Sequence, residues 1–258
     1  MTTDKKNPVS RRTLLRSGGA VLASGVVLAA CGGAKGNTVT RIGEGGEPTV
    51  LPDGEVSDVV LLRTAQSVEA MIASILGGTA VTSIVPADAA PVIAAFVSAH
   101  ERHVAEIAPL VTARGAAPVD EPNAQLMTAY GNTIVELLTE GKEPADVLTT
   151  ALGLETLMAA TYQYSLSLTV EPALRAQMMQ LGAQASRRAA VVAQLINPGT
   201  SGFAPGVDAD GAATVAALPA AFGPLNAVQI QIGPKNDVGA RTTVLMDTPS
   251  LNSLMYIL

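Results

Sequence analysis

The sequence predicts an all-α domain, a helical bundle that carries a small β-hairpin near its C-terminal end. Three observations lead there. The 258-residue chain is 48% hydrophobic yet only 3% aromatic, and it is rich in alanine and leucine, which are good helix formers. Between residues 57 and 197 apolar side chains recur at helical spacing in five stretches, punctuated by proline near the starts and by glycine or Asn-Pro-Gly at the stops. Alternation of apolar and polar residues, the period of a half-buried strand, is limited to residues 227–232 and 242–246.

Residues 1–30 read as an export signal rather than as part of the fold. A paired arginine, Arg11-Arg12, precedes an apolar run over residues 20–30 that is too short to settle as a membrane-spanning helix. Ser10-Arg11-Arg12-Thr13-Leu14-Leu15-Arg16 resembles a twin-arginine signal, with leucine where phenylalanine is more usual. Leu28-Ala29-Ala30-Cys31-Gly32 resembles a lipobox. That resemblance implies a diacylglyceryl group on the Cys31 thiol, cleavage before it, and a chain tethered to the extracytoplasmic face of the plasma membrane. Cys31 is the only cysteine, so no disulfide framework is expected and stability has to come from core burial.

Removing residues 1–30 takes five basic and one acidic side chain from the 16 Lys plus Arg and 22 Asp plus Glu, leaving 11 against 21 and a net charge of −10. So acidic a surface argues against nucleic acid as a partner and against electrostatic docking to anionic lipid. Without tryptophan, and with few other aromatics, a stacking platform for bases or sugars is not expected either.

Residues 31–56, rich in Gly, Thr and Glu with a Pro-Asp-Gly turn at 52–54, read as a flexible tether. Residues 57–197 form the bundle. The first helix starts at Ser57 or Asp58, with a plausible N-cap, and stops at Gly77-Gly78. A second runs from near Asp88, with Pro91 in its first turn, to about Arg114-Gly115. A shorter, less regular third covers 121–140 with Gly131 inside it, a fourth runs from Pro144 to about Leu168, and a fifth from Pro172 to Asn197-Pro198-Gly199. Residues 198–258 are a C-terminal extension: a strap rich in Gly, Ala and Pro, then the hairpin.

Helical spacing also sorts the polar residues. Glu69 has Leu62, Ala65, Ile72 and Leu76 at three, four and seven residues, which puts a carboxylate in the apolar stripe of the first helix. Glu155 on the fourth lies among Leu148, Ala151, Leu152, Met158, Ala159 and Tyr162. A buried carboxylate is costly unless it is paired or bound to a cation. The chain's two histidines, His100 and His103, are three apart on one face of the second helix beside Phe96 and Ile107, while Glu101 and Glu106 fall on the solvated flanks. Carboxylates and imidazoles converging inside a bundle suit one Fe, Mn or Zn ion; the alternative is a core polar network without a metal.

These residues and the export signal together resemble the ferritin-like four-helix bundles, specifically the exported ferritin-like domain proteins of actinobacteria in a lipoprotein form. The likeness runs from about Ser57 to Asn197, with 121–140 as the crossover, and the ending 247–253 is similar to that group's C-terminal strand. Di-metal members of the fold supply one Glu from each of two helices and a Glu-x-x-His from each of the other two. The resemblance implies that Glu69 and Glu155 are the single glutamates and that His100-x-x-His103 takes the place of the first Glu-x-x-His. In the last bundle helix the pattern's glutamate and histidine fall at Ala185 and Arg188. Alanine has no ligand atom and arginine is a permanent cation, so the second half-site is dismantled. Arg188 is expected instead to substitute for a metal charge by pairing with Glu155 or Glu69, helped by Gln177 and Gln184.

The expectation for function is therefore a membrane-anchored, non-catalytic scaffold or binding protein of the cell envelope, acting on an envelope protein or as a homodimer. The alternative is a mononuclear Fe, Mn or Zn protein with weak oxidoreductase activity, its ion held by Glu69, His100, His103 and Glu155. Met127, Met158, Met178 and Met179 read as core filler rather than a soft-metal site. There is no Gly-rich phosphate loop and no Gly-x-Ser-x-Gly elbow. A lipid anchor and a long extension would also obstruct assembly of a storage cage.

Overall fold

The computed structural model describes residues 56–199 and 227–249. The signal with Arg11, Arg12 and Cys31, all but the last residue of the tether, the strap from residue 200 and the end from residue 250 lie outside the described residues.

Helix α1 (Asp58–Gly77) is capped by Ser57, whose Oγ accepts the Val60 N–H at 3.4 Å. Its apolar residues leave almost no polar face. Residues 58–82 have the length and hydropathy of a membrane span, yet 72% of the most apolar window is buried inside the protein, as suits a helix enclosed by others. A single short turn of helix, α2 (Thr79–Thr82), follows Gly78. Helix α3 (Ala90–Thr112) begins with Pro91 in its first turn, where the fixed φ of proline suits helix entry.

The crossover departs from the expected single stretch over 121–140. Helix starts only at α4 (Ala124–Leu126), because Pro122 disfavours helical geometry at the residue before it and Asn123 caps the turn, its Oδ1 accepting the Leu126 N–H at 3.0 Å. A π-helical turn over Met127–Gly131 leads into α5 (Asn132–Gly141), which Lys142 ends in the left-handed conformation. Pro144 then opens α6 (Pro144–Leu168), and Pro172 opens α7 (Pro172–Ile196).

The bundle consists of α1, α3, α6 and α7. α6 packs along α7, α1 packs along α3, and α1 meets α6 across the centre. Leu61, Met71, Ile72, Leu76, Ile107, Leu154 and Met158 are fully buried there. Of the four methionines expected as filler, Met158 and Met178 are buried and Met127 is half-buried, but Met179 is exposed on the outer side of α7. The crossover is pinned to α1 by polar side chains. Gln66 Oε1 accepts the Val119 N–H at 2.8 Å, Asn123 Nδ2 donates to Ser67 Oγ at 3.0 Å, and Gln66 Nε2 donates to the Val104 carbonyl of α3 at 3.0 Å.

Strands β1 (Val228–Ile232) and β2 (Thr242–Met246) pair antiparallel, Val228 opposite Met246 and Ile232 opposite Thr242. Residues 247–249 are not in a strand. The hairpin lies on the bundle. Val228, Ile230 and Ile232 face inward, and a Cβ on Gly153 of α6 would come within 2.6 Å of Ile230 Cγ2, so only glycine allows this approach. Asp146, buried in the first turn of α6, accepts the Gly233 N–H at 2.9 Å and Arg241 Nη2 at 2.5 Å, while Arg241 Nε donates to the Gly233 carbonyl at 2.9 Å.

This latch predicts that Asp146→Ala, which strands a backbone N–H and a partly buried guanidinium, lowers the unfolding free energy by about 2–3 kcal/mol. Urea denaturation measures the loss, and hydrogen exchange should show the amides of residues 228–246 losing protection before those of α1.

Candidate functional site

Each bundle helix contributes to one buried polar cluster. α1 brings Glu69, fixed in depth by the neighbouring Gln66 and Ser67 contacts to the crossover. α3 brings His100 and His103 from adjacent turns, their ring centroids 6.4 Å apart and their planes nearly perpendicular. α6 brings Glu155 and, two turns on along the same face, Tyr162. α7 brings Gln184, Ala185 and Arg188 within one turn. Its close approach to α6 is set at Gly182, where a Cβ would lie 2.9 Å from Tyr162 Cβ. Glu69, His100, His103 and Glu155 are all 0% exposed, and Arg188 is 8% exposed.

Glu69 is the hub. Its Oε2 is in close contact with His100 Nδ1, and its Oε1 lies 3.0 Å from His103 Nδ1 and accepts the Tyr162 hydroxyl at 2.6 Å. The far nitrogens of the two rings are also engaged: His100 Nε2 lies 3.0 Å from Glu155 Oε1, and His103 Nε2 lies 3.1 Å from Gln184 Oε1. Arg188 Nε donates to the same Glu155 Oε1 at 2.7 Å. Glu101 and Glu106 are solvent-exposed on the flanks.

The electrostatics follow from this geometry. Burial by itself would lower the His100 pKa, but the Glu69 charge and the hydrogen bonds that the ring donates to both carboxylates outweigh it and push the pKa up to about 9. Burial would likewise raise the Glu69 pKa, yet the charge and hydrogen bonds of His100 and the contacts of His103 hold that carboxyl well below the usual carboxylate range. Burial first, and then the charge of Glu69, push Tyr162 well above its ordinary value, so it stays a neutral donor. Glu69 thus faces the His100 imidazolium, and Glu155 faces that ring and the Arg188 guanidinium.

The ferritin-like domain family model matches residues 58–198, more than half of the chain. The protein belongs to the ferritin-like domain family. No curated protein and no solved structure matches the chain.

Against the metal chemistry of that family the residues divide. Glu69, His100 and His103 each offer a buried ligand atom, all within 4.8 Å of one another. One carboxylate and two imidazoles form a donor set that suits a single Fe, Mn or Zn ion. Glu155 stands outside this triad, occupied by Arg188 and the far side of His100. Beside Gln184, α7 turns the fully buried methyl of Ala185 and the guanidinium of Arg188 inward, and neither can bind a metal ion.

Two parts of the sequence expectation need correction. Gln177 does not join the network, because it lies on the exposed side of α7. Gln184 does join, but through His103 and not through Arg188. Tyr162, read from the sequence only as a neighbour of Glu155 in the stripe, is a member of the site. An aromatic with a polar tip, placed on an inward face with a carboxylate two turns away, was the available signal.

The His100 shift carries a pH prediction for the metal-free protein. The imidazolium persists to about 9 in the folded state and to 6.5 in the unfolded state. Its stabilisation is therefore complete below pH 6.5 and is lost as pH rises through 9, about 3 kcal/mol in all. Glu69 acts at the other end, its contribution present above 4.5 and lost on acidification; both shifts express one interaction and are not summed. Chemical denaturation between pH 6 and 10 should show the alkaline decline, and His100→Gln should flatten it.

Proposed function

We propose that this protein is an exported, lipid-anchored member of the ferritin-like family that has given up di-metal chemistry and acts as a non-catalytic scaffold or binding protein at the extracytoplasmic face of the plasma membrane. The observation that carries this reading is the buried contact of Arg188 Nε with Glu155 Oε1 at 2.7 Å. A fixed cation stands where the fourth helix of a di-metal protein would supply a ligand, and it meets the charge of the carboxylate that an ion would otherwise meet. Arg11-Arg12 and the Cys31 context support export and anchoring. The anchored domain would then meet an envelope protein or a second copy of itself.

A second reading has its own observation. The donors of Glu69, His100 and His103 lie close enough together to share one ion, so a mononuclear Fe, Mn or Zn centre, with or without weak oxidoreductase activity, is the alternative.

Inductively coupled plasma mass spectrometry on the mature protein, purified without a histidine tag beside a His100→Ala/His103→Ala variant, separates the two. The scaffold reading expects well under one transition-metal ion per chain in both. Near-stoichiometric metal that disappears in the variant would replace it with the mononuclear reading. Anchoring is tested by labelling with radioactive palmitate, which Cys31→Ser should abolish. Arg188→Ala leaves Glu155 buried beside only one partner, His100, and is expected to cost about 3–5 kcal/mol of stability; thermal unfolding unchanged from the parent would sink the charge-substitution idea.

A further inference from the structure

The two histidines are held in the same way. Each turns Nδ1 toward Glu69, His100 to Oε2 and His103 to Oε1, and each turns Nε2 toward a fixed acceptor, Glu155 Oε1 for His100 and Gln184 Oε1 for His103. The acceptor behind a ring nitrogen decides which nitrogen carries the proton. Gln184 is half-buried, and with its oxygen turned inward it accepts the Nε2–H of His103. The Nδ1 lone pair of His103 is then aimed at an oxygen of Glu69 that already accepts the Tyr162 hydroxyl at 2.6 Å. A lone pair facing a carboxylate at 3.0 Å repels it unless a proton or a metal ion lies between them.

We propose that Gln184 is a positioning residue for a single divalent ion: it fixes the Nε2–H tautomer of His103, as Glu155 does for His100, so that both Nδ1 atoms and Glu69 converge as the ligand set. This rests on the single-ion reading of the same site. It gives the dismantled helix a second use, because α7 supplies no ligand yet supplies the outer hydrogen bond that orients one. Arg188 has the parallel place on the other side, holding Glu155 where it can accept from His100. Outer acceptors of this kind usually change metal affinity by about 10–100-fold when removed.

The test is Co2+ titration of the full chain in detergent, followed by the visible d–d absorption of bound Co2+ and by competition with a chelator, for the parent, Gln184→Leu and Gln184→Glu. The expected result is one Co2+ per parent chain, an affinity about 10–100-fold lower in Gln184→Leu, and parent-like affinity and spectrum in Gln184→Glu, which keeps an acceptor oxygen. Circular dichroism melts of the three metal-free proteins distinguish loss of an orienting bond from loss of the fold. If Gln184→Leu fails to fold, Gln184→Glu decides, and a drop of tenfold or more there overturns the proposal. Parent-like binding by a folded Gln184→Leu overturns it while leaving the single-ion reading intact. A parent chain that binds no Co2+ overturns both and leaves the scaffold reading.

Discussion

Two glutamates with no solvent exposure, on helices that meet across the centre of the bundle, are the constraint on which the rest of the structure depends. Isolated carboxylates at such depth would be strongly unfavourable, and polar groups from the other helices are placed to meet them. Glu69 is met from α3 by two imidazoles and from α6 by a phenol; Glu155 is met from α3 by one of those imidazoles and from α7 by a guanidinium. His100 touches both carboxylates and so ties the two halves of the bundle into one network. Because these five contacts share two carboxylates, removing one partner alters what the others must balance, so the cluster is expected to respond as a unit rather than as five separable pairs.

The supporting structure serves that register. Gln66 and Ser67 lie just before Glu69 on α1, and the side chains of both bind the crossover, so the depth of Glu69 is set by these contacts as well as by its own ion pairs. Gly182 lets α7 close on α6 beside Tyr162, which brings Gln184 and Arg188 within reach of the centre. On the outside, Gly153 and Asp146 seat the hairpin on α6, covering the flank of the helix that carries Glu155.

Much of this was legible in the sequence because its signals are local. Proline near the starts and glycine near the stops marked most helix ends, period-3.6 patterning turned Glu69, His100, His103 and Glu155 inward, and period-2 patterning marked both strands. An arginine among inward-facing positions of the last bundle helix stood out as the odd cation. What stayed hidden depends on which helix lies opposite. Gln177 and Gln184 are seven apart and nearly equivalent by spacing, yet only Gln184 meets a partner; the same ambiguity misplaced Met179. The π-turn at Met127–Gly131, which lies against β2, is likewise announced by no residue spacing.

The asymmetry of the cluster follows from charge and not from ancestry alone. Two buried carboxylates can be balanced by one divalent ion, or by one guanidinium and one proton held on an imidazole. With Arg188 on Glu155, the two carboxylates and the guanidinium sum to −1, so one divalent ion brings these groups to +1 and a second would bring them to +3, a far greater cost at such depth. Around Glu69 the donors of His100 and His103 still converge. Glu155 is held in an ion pair with Arg188 and meets His100 from behind the ring.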